Sequence, residues 1–176
     1  MNRKSLKTFL KPYSILQKRK TTISHAFASA ATPVVKCDDE KMTKALNFLG
    51  QDPNGDLQCI YCNGQAETWD HLVSLVKKGE IRDLGYGHQL GNLVPCCKAC
   101  NSRKRHTDFN EFVRDPKLVK LLKKYQQRFG RPINLRRCEK KMKEEWIRYK
   151  NLREKIFGLM QRADKIASKL REGYVQ

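Results

Sequence analysis

CIYCNGQAETWDHLVSLVKKGEIRDLGYGHQLGNLVPCCKACNSRK, residues 59–104, contains two Cys-x-x-Cys pairs, Cys59/Cys62 and Cys97/Cys100. Between them lie an Asp-His pair, Asp70-His71, and an isolated Asn92; Asn101 follows the last cysteine directly. Cysteines three positions apart turn both sulfurs to one side of a tight knuckle. Two such knuckles complete a tetrahedral thiolate site for zinc. Cys96 competes with Cys97 for the third ligand position, and the three-residue step to Cys100 favours Cys97. Cys37 and Cys138 stand outside the pattern. An odd cysteine count of seven, with no secretory signal, fits a reducing compartment with thiols free or on metal.

Around the knuckles the expected order is strand 66–72, a loop over 73–90 with three glycines, strand 91–95, then a helix from Lys98 to about Val113. Zinc closes the base of this unit. Upstream, residues 38–50 read as a helix: Asp38 and Asp39 suit its start and Gly50 its end. Residues 22–31 read as another helix with Ser24 as a candidate cap. Residues 1–22 are basic and sparsely apolar, equally readable as an arm for a DNA backbone or as a loose terminus. Downstream, Pro116 opens a helix to about Arg128, stopped by Gly130 and Pro132. From Leu135 to about Leu170 one long helical pattern runs without proline. Met142, Trp146, Tyr149, Leu152, Ile156, Met160, Ala163, Ile166 and Leu170 recur every three or four residues, a stripe expected to pack on the domain or on a second copy.

The 176-residue chain carries 37 Lys and Arg against 18 Asp and Glu, a net charge of +19. Residues 1–20 contribute +7, residues 21–100 contribute −2, and residues 101–176 contribute +14. A near-neutral metal motif between basic flanks points to a polyanion, with nucleic acid as the default. No apolar run is long enough to span a membrane. Residues 1–36 lack acids and resemble an organelle transit peptide in composition, but His25 and Ser29 break any apolar segment. The compartment expected is the cytoplasm.

Cleaving a phosphodiester needs a base for water, a cation for the charge growing on the phosphate, and positioning. Asp70 is a hard oxygen donor, Asn101 offers a neutral carbonyl oxygen, and His71 accepts a proton near neutral pH. Neighbouring strand residues face opposite ways, so Asp70 and His71 serve one site only if the strand end twists. Trp69 reads as core; His88 and Gln89 read as loop residues without a role, with phosphate contact as the alternative. Arg103, Lys104 and Arg105, with His106, read as phosphate contacts or as a solvated basic helix end.

Taken together, Cys59-Cys62, Asp70-His71, Asn92-Leu93-Val94, Cys97-Cys100-Asn101 and Lys104 resemble the HNH nuclease family, the zinc-stapled ββα-metal fold, over about residues 57–110. The resemblance implies that His71 is the general base and that Asp70 and Asn101 hold a catalytic Mg²⁺ or Mn²⁺. It further implies that Asn92 orients His71 by hydrogen bonding, that Cys59, Cys62, Cys97 and Cys100 hold structural Zn²⁺, and that products carry 5′-phosphate and 3′-hydroxyl ends. Asn101 departs from the name-giving histidine, which bears on metal preference. The fold class expected is α+β: a small ββα-metal core at 57–114, an N-terminal arm with helices at 1–56, and a basic helical extension at 115–176. The function expected is DNA endonuclease, of the restriction or phage type found in bacteria, acting on double-stranded DNA, with the basic arms and the C-terminal helix gripping the duplex, forming a homodimer, or both. The rival from another class is a non-catalytic zinc module that binds nucleic acid; RNA as substrate stays open.

Overall fold

The computed structural model describes residues 10–32, 34, 38–77, 80–82, 84–134 and 140–174. Cys37, Cys138 and the expected helix start at Leu135 lie outside these residues. Helices and short antiparallel strands share the chain, in keeping with the α+β class. The chain divides into two compact units: 1–24 with 140–176, and 25–139. The expected partition at 56/57 and 114/115 differs, because helices from both sequence flanks complete the core of the second unit.

That second unit is built on a two-stranded antiparallel ribbon, β1 (Thr68–His71) and β5 (Leu93–Cys96). Its register pairs Thr68 with Cys96, Trp69 with Pro95, Asp70 with Val94 and His71 with Leu93. Alternation sends Asp70, Leu72 and Val94 to one face and Trp69, His71 and Leu93 to the other. The first face enters a core of Ala45, Leu49, Ile60, Leu72, Val94, Phe109, Leu122 and Tyr125. The ribbon alone could not bury this face; α2 (Asp39–Phe48) and α5 (Pro116–Phe129) supply the missing layer. Both helices start as their sequences dictate. Asp38 accepts a hydrogen bond from the Lys41 amide, and Asp115 from the Lys117 amide beside Pro116 at the first turn.

Between β1 and β5, where a plain loop was expected, two-residue strands form. β2 (Val76–Lys77) pairs with β3 (Glu80–Ile81), and β4 (Leu84–Gly85) pairs with β6 (Ile133–Asn134). After β5, α3 (Lys98–Lys104) is shorter than the sequence suggested. Lys104 is drawn inward, Arg105 takes a left-handed φ of 52°, and the chain restarts in α4 (Phe109–Phe112). The break lets Phe109 reach the core while its amide bonds the Leu72 carbonyl at 2.9 Å.

A close backbone crossing fixes the loop before β5. Gly91 sits at φ +84°, and a Cβ there would collide with the backbone of Phe129 and Gly130. Gln89 locks the same crossing: its Oε1 accepts from the Arg131 amide at 2.9 Å and its Nε2 donates to the Arg131 and Tyr86 carbonyls.

In the other unit, the start of α1 (Ile15–Ala31) meets α6 (Lys140–Gly173). Ser24, expected as a cap, lies within α1 and is buried. The cap comes from a distant residue: the Asp164 carboxylate accepts from Ser14 Oγ at 2.8 Å and from the Ile15 and Leu16 amides at 2.7 and 3.1 Å. Arg153 and Phe157 are the buried residues of α6. The expected stripe is only partly packed: Leu152, Ile166 and Leu170 stay more than half exposed.

Candidate metal centre and catalytic residues

The two knuckles converge. The Sγ atoms of Cys59, Cys62, Cys97 and Cys100 all lie within 4.8 Å of one another. Cys62 Sγ and Cys97 Sγ are 3.7 Å apart; a tetrahedral site with Zn–S bonds of ~2.3 Å requires ~3.8 Å between sulfurs. The donor chemistry and the spacing therefore both fit a metal such as zinc. Each knuckle is shaped by its own backbone. Cys59 N donates to Gly64 O at 2.6 Å and Asn63 turns the chain at φ 58°. Cys97 caps α3, its sulfur accepting from the Cys100 amide at 3.4 Å. Among the described residues this is the one group of three or more His, Cys, Asp or Glu able to hold an ion.

The sulfurs differ electrostatically. Burial alone would push Cys59 up, but amides of Cys97, Tyr61 and Cys62 aimed at it win and bring it down to about 7. Burial pushes Cys100 up to about 12, opposed by the Arg103 guanidinium, which donates to its sulfur at 3.0 Å. Metal binding must expel that proton. Cys96 is also buried, 4.0 Å from Cys59 Sγ, and its thiol is pushed up by burial and by the neighbouring sulfur, so it stays protonated.

Asp70 and Lys104 form a buried pair, 5% and 0% exposed, with Lys104 Nζ 3.1 Å from Asp70 Oδ2. Lys104 also donates to the His71 carbonyl at 2.7 Å, and Tyr61 Oη donates to Asp70 Oδ2 at 2.6 Å. Burial, then the negative charge of Asp70, raises the Tyr61 phenol, so it remains a donor. Lys104 is thus not a phosphate contact: it is the internal counter-charge of Asp70. Arg103 is turned to Cys100, and of the three basic residues Arg105 is the one left facing solvent without a side-chain partner among the described residues.

His71, on the opposite face of β1, meets His88, with Nε2 and Nδ1 2.9 Å apart. Burial foremost, then the charges of His88, Lys104 and His25, lowers His71 to about 4. It is a neutral ring at pH 7. Asn92, fully buried, does not touch that ring. Its Oδ1 accepts from the Val73 amide at 2.8 Å, and its Nδ2 donates to the Gly87 and Val73 carbonyls at 2.9 and 3.2 Å. Asn92 therefore anchors the chain leaving His71 to the chain approaching β5. Asn101 lies one helical turn before Lys104 on the same face of α3, half-buried.

Sequence reasoning missed Lys104 as a buried partner, Tyr61 as the donor to Asp70 and His88 as the neighbour of His71. A lysine one turn after Asn101 carried no signal of burial; only the inward face of Asp70 demands a cation. The donors of Asp70 and Asn101 are of the hard-oxygen kind Mg²⁺ takes, but the Asp70 carboxylate is already neutralised by Lys104. Among the described residues no helix is long and apolar enough to cross a membrane. No family model, curated protein or solved structure matches the chain.

Proposed function

We propose that the chain is a metal-dependent endonuclease of the HNH type acting on DNA, with zinc as its structural ion. The observation that carries this reading is the convergence of the four sulfurs beneath β1, β5 and α3. It holds β1, β5 and α3 together, so that Asp70 meets Lys104 on one face of β1 while His71 ends the strand on the other, and a twist of the chain at that end is what would bring both to one phosphodiester. A divalent ion such as Mg²⁺, when bound, neutralises charge growing on the phosphate. Asp70 and Asn101 are the residues that would hold it. His71, neutral at pH 7, accepts the proton of the attacking water through a ring nitrogen. Asn92 fixes the loop that brings His88 to that ring.

The test is cleavage of supercoiled plasmid with Mg²⁺ or Mn²⁺ by the intact protein and by His71→Ala. Discrete products from the intact protein alone are expected. Equal cleavage by both proteins, or none by either with zinc bound, sinks the reading. A second reading, a zinc module that binds nucleic acid without cutting it, is favoured by one observation: Tyr61 and Lys104 already satisfy the Asp70 carboxylate.

A further inference from the structure

A cleft of about 1110 Å³ opens beside the outer face of β1, between α2 and α5. This is slightly above the size of most small-molecule pockets. Trp69 forms part of its wall and is 50% exposed. A tryptophan in a ribbon normally goes into the core; this one points out because Asp70, not Trp69, has the inward position. His88, the partner of His71, lines the same cleft. Lys41, Lys44, Arg128 and Arg131 also line it, and among the described residues no acidic one does. Lys41 and Lys44 pair with Asp38 and Glu40, but both lysines are more than 60% exposed, so these pairs are weak and screened. The Arg128 guanidinium carbon lies 5.6 and 5.7 Å from the ring centres of Phe48 and Phe129.

From the exposed Trp69 ring set among four cations, next to the His71–His88 pair, we propose that this cleft binds an unpaired nucleobase by stacking on Trp69. The proposal rests on the nucleic-acid reading above and extends it to a strand state. Aromatic faces among cations are how proteins hold single strands: the ring takes any base, the cations take the backbone. A paired base is covered on both faces by its neighbours, so a ring inside a cleft reaches only a base that has left the stack. Trp69 and His71 share a strand face and are two residues, about 6–7 Å, apart. A base on Trp69 therefore places an adjoining phosphodiester by His71.

The chain has two tryptophans, so Trp146→Phe leaves Trp69 as the only indole reporter. The full-length, zinc-loaded variant is titrated without divalent metal against three probes: a single-stranded oligonucleotide, the same sequence fully paired, and that duplex with one base left without a partner. Trp69 emission should be quenched by the first and third, with at least fivefold weaker response to the paired duplex. Trp69→Ala should weaken single-strand affinity, read by anisotropy, at least about fivefold, the low end of one base–aromatic stack, and Trp69→Phe should restore most of it. Equal response to all three probes, or none, overturns the proposal. So does an emission shift with protein concentration alone, which would assign the cleft to a second copy. Plasmid cleavage with unchanged Trp69 emission removes this proposal and leaves the nuclease reading intact; quenching without cleavage does the reverse.

Discussion

Lys104 brings an ammonium into a place without solvent, and the carboxylate it meets there is Asp70. Two desolvated charges are tolerated because each satisfies the other and Tyr61 and the His71 carbonyl take the remaining bonds. Removing one member leaves the other stranded. Lys104→Met should cost about 3–5 kcal/mol in urea unfolding, and Asp70→Asn a comparable amount. The double variant should lie closer to the parent than the two losses added, by more than ~1 kcal/mol. Strict additivity would mean the pair is not coupled. A cleavage defect in Asp70→Ala must therefore be read beside zinc content and stability. His71 makes a separate statement. Its folded value near 4 lies below the ordinary 6.5, so the unfolded chain binds more protons between those limits. Stability should fall as pH drops from about 6.5 toward 4. Acid also strips zinc from thiolates, so the diagnostic is the difference: His71→Gln should show a shallower fall over that window. An unchanged slope, or an imidazole resonance that titrates near 6.5, contradicts the burial of the ring.

At the scale of elements, the cysteine knuckles, once a metal joins them, and the Gly91 crossing do related work: each holds backbone segments together where the core is too thin to do so. Gly91→Ala meets both a positive φ and a backbone neighbour that cannot yield. It should cost about 2 kcal/mol or more in unfolding free energy, whereas Gly158→Ala, with open space around it in α6, should be neutral or stabilising by up to ~1 kcal/mol. The same comparison shows what could be read from sequence. Helices α2 and α5 were legible because Asp38 and Pro116 mark their starts and apolar spacing marks their inner faces. The ribbon was legible from its cysteine brackets. Strands β2, β3 and β4 were not, since two-residue pairings leave no periodicity. The end of α3 was hidden because helical spacing continues past Lys104, and only the pull of Asp70 on that lysine explains the break. Trp69 was misread for the related reason that hydrophobicity favours burial, while strand alternation gives the inward position to its charged neighbour.

Over the whole molecule the open question is what the basic surface meets. Residues 101–176 carry +14, and along α6 Lys155, Arg162 and Lys169 recur every seven residues, all exposed. They run beside Leu152, Leu159 and Ile166, also seven apart and each more than half exposed. A cationic row of this kind serves a phosphate backbone or borders a helix–helix seam. Salt separates the two. If the row lies on DNA, each phosphate contact releases counterions and adds about 0.9 to the slope of log affinity against log salt. Replacing Lys155, Arg162 and Lys169 together by Gln should then lower that slope by up to ~2.7 on a duplex, with the molar mass in solution unchanged. All three side chains are exposed, so folding should be spared. An unchanged slope accompanied by a change of mass would place the row at a contact between chains, and any grip on DNA would have to come from basic residues elsewhere in the chain.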